Sequence, residues 1–218
     1  MIMEDSYRHK GMRKRLVETL VQKGINNELV LDAIYAIPRH FFLDKAFEEM
    51  AYEDKAMPIL EGQTISQPFT VAYQSQLLEI NKRDTVLEIG TGSGYQAAVL
   101  GAMGARVYTV ERHEALYKKA DKMMEALGLL NVRCYFRDGN KGLGEFAPFD
   151  RIIVTCGAND IPEILLEQLA VGGIMVIPVG DDNLQRMTRV YKLSPQQYKV
   201  EKFDEFRFVP FLDGKNPQ

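Results

Sequence analysis

The sequence predicts a doubly wound α/β domain with a mostly parallel central sheet, a helical extension before it and a pair of strands after it. Three observations lead there. From Thr85 onward, short apolar runs alternate with stretches of helical periodicity. Those runs are continuously apolar, as strands covered on both faces must be, and do not alternate apolar with polar. A glycine-rich turn, Gly90-Thr91-Gly92-Ser93-Gly94, joins the first run to the helix that follows.

In order along the chain, residues 7–23 have helical periodicity and stop at Gly24, a residue suited to the backbone just past a helix end. A second helix is expected over 27–36, stopped by Ile37-Pro38. Residues 39–67 mix aromatic and acidic pieces with Pro58 and Gly62 and show no regular period. Pro68 suits a first helical turn, so a helix is expected over 68–78. Strands at 85–89, 106–110, 132–136, 150–155 and 173–179 then alternate with helices at 95–103, 114–127 and 162–169. The tail reads as two further strands, 187–193 and 198–208, joined through Ser194-Pro195-Gln196-Gln197, which makes a seven-stranded sheet. At 218 residues a single domain is expected. Residues 1–80 form its helical, substrate-side segment, 81–180 its core and 181–218 its terminal strands.

Composition excludes several classes of function. A net charge of −3 offers no electrostatic attraction to nucleic acid. The one basic run, Arg8, His9, Lys10, Arg13, Lys14 and Arg15, has the spacing of a solvated helix face. Cys134 and Cys156 sit in apolar stretches without metal-ligand spacing and are expected as buried free thiols. His9, His40 and His113 form no ligand motif, so no metal is expected. The amino terminus is polar and no apolar run reaches membrane-spanning length, which predicts a cytoplasmic protein with no membrane partner. A monomer is the expectation for its oligomeric state.

The glycine turn follows a strand and opens a helix, the setting of a nucleotide loop. A nicotinamide dinucleotide would place a pyrophosphate there, usually on GxGxxG spacing. Here the spacing is GxGxG, and Glu88 stands two residues before the first glycine. A carboxylate beside a pyrophosphate is repulsive, by several kcal/mol at an effective dielectric near ~20. S-adenosylmethionine carries no phosphate but an ammonium and a sulfonium, which Glu88 would attract. Gly90, Thr91, Gly92, Ser93 and Gly94 are therefore expected to cradle that cofactor. Glu111, at the end of the second strand, is placed to accept from both ribose hydroxyls. Asp138 and Gly139, past the third strand, are placed to meet the adenine or to form a plain Asp-Gly turn, and both can hold together.

The methyl acceptor is a separate question. No Asn/Asp-Pro-Pro-aromatic tetrad follows the fourth strand, where Val154-Thr155-Cys156-Gly157-Ala158 stands instead, which speaks against amide or ring nitrogens. Ile65-Ser66-Gln67-Pro68-Phe69 resembles the ISQP segment of the protein-L-isoaspartate methyltransferases, and Arg207-Phe208-Val209-Pro210 resembles their RFVP element. The stretch from Val86 to Leu100 is similar to the family's cofactor loop and helix. Val107–Arg112, Asp138-Gly139, Ala147–Thr155 and Leu165–Leu169 are similar too, so the likeness runs from about Pro38 to Phe211. ISQP and RFVP discriminate, since many methyltransferases share the glycine loop. Departures occur at Cys156–Asp160, at Ala170-Val171-Gly172-Gly173 and at Arg137, on the cofactor side.

The resemblance implies a Rossmann-like methyltransferase fold and methyl transfer from S-adenosylmethionine to the free α-carboxylate of L-isoaspartyl residues in damaged proteins. The ester would lose methanol to a succinimide and return some normal aspartate, a repair reaction. A carboxylate with a pKa near ~4 is already ionised at neutral pH, so no general base is required. Ser66 is expected to orient the acceptor, with Thr64, Ile65 and Val209 gripping the peptide. Without a His-Asp pair Ser66 is no nucleophile, and its rival role is a cap before Pro68. Isoaspartyl peptides and proteins are the implied partners. Two rivals stay open at this point, a methyltransferase with another acceptor and a non-catalytic cofactor-binding module.

Overall fold

The computed structural model describes residues 4–181, 183–212 and 214–216. The outermost residues of the 1–218 single-domain reading lie outside that set. Helix α1 (Tyr7–Gln22) is capped by Ser6, whose hydroxyl accepts the His9 N–H while the His9 ring accepts the Ser6 N–H. Helix α2 (Glu28–Ala36) begins at Asn27, whose side chain accepts from the Val30 N–H, and ends where Ile37 turns extended before Pro38. The irregular stretch that follows folds into three 3-10 turns, at Arg39–Phe42, Lys45–Met50 and Leu60–Gly62. It also forms a minimal antiparallel ladder of β1 (Met57–Pro58) with β2 (Thr64–Ile65). Helix α3 (Pro68–Leu77) leads into the core.

The core alternates β3 (Thr85–Ile89), α4 (Tyr95–Ala102), β4 (Arg106–Glu111), α5 (Glu114–Ala126), β5 (Val132–Phe136), β6 (Phe149–Val154) and α6 (Glu163–Gln168). It closes with β7 (Leu169–Gly180), β8 (Gln185–Ser194) and β9 (Gln197–Phe206). Seven strands form one sheet in the order β5-β4-β3-β6-β7-β8-β9. The first five are mutually parallel, while β8 and β9 run antiparallel to their neighbours. The chain moves outward from β3 to β5 and then returns to the other side of β3, so a crevice opens beyond the carboxyl ends of β3 and β6.

The parallel strands are mostly apolar because each face of the sheet has its own core. Along β3, Val86 joins the cluster beneath α1 to α4, while Leu87 and Ile89 join the cluster beneath α6. Glu88 shares the Val86 face and has no exposed surface. The expected helix 162–169 is shorter because Leu169 pairs with Phe149 and already belongs to β7. In the terminal hairpin, Arg189 pairs with Glu201 at 2.6 Å and Arg186 with Glu205 at 2.7 Å across β8 and β9.

The basic run on α1 needs a correction. Arg8, Lys10, Lys14 and Arg15 are exposed, but Arg13 is 3% exposed, forked onto Asp5 and bonded to Tyr52. Asp5, His9 and His40 bring potential ligand atoms within 4.8 Å of one another, but Arg13 takes both Asp5 oxygens and the two imidazoles stack at 3.9 Å. Stacked rings direct their in-plane lone pairs past a common metal. Cys134 and Cys156 are buried free thiols, as expected. Among the described residues no helix is long and apolar enough to cross a membrane.

Candidate active site

The glycine loop begins where β3 ends, in the central crevice. Gly90 has φ +97, and a Cβ there would lie 2.6 Å from Thr155 Oγ1. That close approach has a purpose. The Thr155 hydroxyl, at the end of β6, lies 2.9 Å from the Ile89 carbonyl and 2.6 Å from the Gly90 carbonyl, clamping the loop to the neighbouring strand. Gly94 has φ +88, and a Cβ there would meet Met124 Cε at 2.9 Å, so its absence lets α5 pack against the start of α4.

Two acids lie beneath and beside this loop. Glu111, at the end of β4, is 4% exposed and lines the cleft. Its Oε2 accepts the Gly92 N–H and its Oε1 the His113 N–H, both at 2.8 Å. It is therefore no solvated strand-end acid, and its remaining lone pairs are open to a ligand. Glu88 lies under the loop, with both carboxyl oxygens buried and, among the described residues, unpartnered. Burial pushes its carboxyl up to about 8; Thr109 nearby offsets this in part and the Glu111 charge adds to it. The Thr109 hydroxyl itself pairs with Thr91 at 2.6 Å and makes no hydrogen bond to Glu88.

The loop forms one side of a cleft lined by both polar and apolar residues. Thr64, Ile65 and Ser66 line it as well, as do Gly139, Val209 and Phe211. The carboxyl-terminal segment is strapped there by Gly157, whose N–H donates to the Val209 carbonyl and whose carbonyl accepts the Phe211 N–H, both at 2.8 Å. A second groove, walled by Phe69, Phe206 and Phe208, meets the cleft at Thr64, Ser66, Thr155 and Val209.

Most of the residues expected from sequence therefore line one cavity: Thr64, Ile65 and Ser66; Gly90, Thr91, Gly92 and Ser93; Glu111, Gly139 and Val209. Three do not. Glu88 lies beneath the loop and Gly94 behind it against α5, while Asp138 caps a 3-10 turn by accepting the Asn140 N–H at 3.0 Å. The turn role of Asp138 is thus visible, and it is Gly139 that reaches the cleft. Sequence reasoning gave no role to Thr155, His113 or Phe211. His113 stands two residues past Glu111 and lies 3.5 Å from Glu61, so the mouth could have been sought there. Phe211 carries no local signal, because its place depends on how the tail folds back. Among the departures, Cys156 lines the cleft, and its thiol is pushed up, first by burial and then by Glu111.

The donor set fits S-adenosylmethionine. The cleft offers an acid with free lone pairs, apolar walls at Ile89, Val110 and Phe211, and an orphaned carboxyl beneath a loop of glycines. A doubly wound sheet bearing this loop defines the class of S-adenosylmethionine-dependent methyltransferases. The model of the family described as protein-L-isoaspartate(D-aspartate) O-methyltransferase matches residues 11–216. A curated protein-L-isoaspartate O-methyltransferase of Christiangramia forsetii is 54% identical over 214 residues, covering 98% of this chain and all of that protein. A solved protein-L-isoaspartate O-methyltransferase superposes with a TM-score of 0.83 at 31% identity, over 91% of this chain and 65% of that one. A Plasmodium falciparum structure, titled a putative member in complex with S-adenosyl-L-homocysteine, shares the fold with a TM-score of 0.80 at 23% identity, over 92% and 98% of the two chains. The chain belongs to the protein-L-isoaspartate O-methyltransferase family.

Proposed function

We propose that this protein transfers a methyl group from S-adenosylmethionine to the free α-carboxylate of L-isoaspartyl residues, opening their repair. The observation that carries this reading is the position of Ser66 at the junction of the cofactor cleft and the aromatic-walled groove. S-adenosylmethionine supplies an electrophilic methyl carbon. The protein's part is to bind, orient and keep water out. A carboxylate oxygen is nucleophilic without losing a proton, so the junction needs a hydrogen-bond donor and no base. Ser66 meets that need: among the described residues nothing bonds its hydroxyl, and no histidine stands at the junction. Thr64 and Val209 line the same junction and Ile65 the cleft beside it, and all three are assigned to the peptide chain. Glu111 and the loop from Gly90 to Gly94 are assigned to the cofactor, with Asp138 and Gly139 on the adenine side and Glu88 beneath the loop.

The product methyl ester would be attacked by the next backbone amide nitrogen, expelling methanol and closing a succinimide. Hydrolysis of that ring regenerates aspartyl and isoaspartyl chains. The partners on this reading are isoaspartyl peptides and proteins and no nucleic acid, handled by a monomer. The reading also places the chain in a reducing cytoplasm, which its two unpaired cysteines suit. Residues 1–80, 81–180 and 181–218 would work as one domain, each contributing part of the cleft.

A matched pair of peptides tests the assignment. In an isoaspartyl residue the main chain runs through the β-carboxyl, which displaces the free carboxylate by about one bond from its place in an aspartyl residue. In-line transfer can lose about 10²-fold for an error near ~1 Å. The expected result is a kcat/KM at least about a hundredfold higher for the isoaspartyl peptide. Equal values would leave only a general carboxyl methyltransferase.

A further inference from the structure

We propose that Asp54, in the amino-terminal extension, is the positioning residue of the acceptor side, capping α3 from a distance so that the Ser66 hydroxyl stays available to substrate. The proposal rests on the carboxyl methyltransferase reading above. Helix α3 starts at Pro68, and Ser66 stands one residue before its cap position. The cap position belongs to Gln67, whose side chain makes no capping bond. The Phe69 N–H, an orphan donor of the first turn, goes instead to Asp54 Oδ1 at 2.8 Å.

Asp54 holds the other flank of Pro68 as well. Gln67 Nε2 donates to the Asp54 backbone carbonyl at 3.0 Å and to its Oδ2 at 3.1 Å. Lys23, just past the end of α1, sets its Nζ 2.5 Å from Oδ2, and the Asp54 side chain is only 10% exposed. A carboxylate at this helix start is also favoured by the helix dipole. The segment carrying Ser66 is thus pinned on its carboxyl side by one acid from outside the sheet, and the first-turn donor at Phe69 is met without the Ser66 hydroxyl. Asp54 lines neither the cleft nor the groove, so it acts through Ser66 and touches no substrate.

A double-mutant cycle on the full chain, with an isoaspartyl peptide and S-adenosylmethionine, tests this. Asp54→Ala should lower kcat by about tenfold or more while leaving the cofactor dissociation constant within about twofold, because it disturbs orientation and not the glycine loop. In a Ser66→Ala background the same change should cost much less, since the hydroxyl it positions is already gone. Asp54→Asn keeps an oxygen for the Phe69 N–H and should retain most of the activity, which keeps the test open should Asp54→Ala fold poorly. Wild-type kcat in Asp54→Ala would overturn the proposal, as would losses that multiply independently of Ser66, or Asp54→Asn falling as far as Ser66→Ala. A wild-type protein inactive on the isoaspartyl peptide would instead remove the functional reading on which this rests.

Discussion

Gly92 donates its backbone N–H to Oε2 of Glu111 across 2.8 Å, so the acid assigned to the cofactor also holds the cofactor loop in place. Its other oxygen takes the His113 N–H at the same distance. One carboxylate thus sets the loop, the end of β4 and the ligand-facing charge together.

Glu111→Ala should therefore do two things. It should weaken S-adenosylmethionine binding by roughly 1.5–3 kcal/mol, the range for charge-assisted hydrogen bonds. It should also lower stability by about 1–3 kcal/mol, because buried N–H groups lose their acceptor. Calorimetric titration and urea unfolding read the two effects separately. An unchanged cofactor dissociation constant with reduced stability would make Glu111 a purely structural clamp.

Ser66→Ala should lower kcat by about 10²-fold or less, toward the low end of what one oriented donor contributes. Cofactor affinity should hardly move, since the hydroxyl is assigned to the acceptor. Single-turnover kinetics beside cofactor titration would show the split. Normal turnover would take the acceptor role away from Ser66.

Glu88 gives the cofactor-free protein a pH dependence. Burial, first of all, raises its carboxyl from 4.5 to about 8. Between those values the folded chain keeps a proton that the unfolded chain has released. This contribution to stability is therefore complete below 4.5 and is lost as pH rises toward 8, at no more than about 1.4 kcal/mol per pH unit. Glu88→Gln, similar in shape and never charged, should flatten that slope and be more stable than the parent at pH near ~8. Urea unfolding at several pH values compares them, and parallel curves for parent and variant would mean that Glu88 is ionised when folded.

Gly94→Ala should cost about 1–3 kcal/mol of stability, from a left-handed backbone at φ +88 and a Cβ 2.9 Å from Met124 Cε. Adding Met124→Ala should relieve the contact but not the backbone term. Denaturant midpoints for the single and double variants separate them. Gly92→Ala meets nothing closer than 3.9 Å and should cost less, so equal losses would mean that packing on α5 is not the reason for a glycine at 94.

Local pattern by itself determined the strand and helix succession from Thr85 to Gly180, the glycine loop and the acid at the end of β4. Each rests on short-range physics: a strand covered on both faces must be apolar along its length, and a tight turn must lack Cβ atoms. The same local terms placed helix ends to within a few residues and missed Leu169, because pairing with Phe149 outweighs its helical neighbourhood. They could not order the last strands, which the structure sets as β7-β8-β9, nor show that Arg13 turns inward onto Asp5 and Tyr52. They placed Glu88 beside the ligand, whereas the strand's alternation and the packing of α4 put it beneath the loop without a partner. Asp54 at Phe69, Thr155 at Gly90 and Phe211 in the cleft are likewise decisions of tertiary structure. The partners in these contacts lie 15 and 65 residues apart or depend on a tail folding back. A hydrogen bond across such a separation forms only after tertiary packing has brought both ends together, and no local spacing records it.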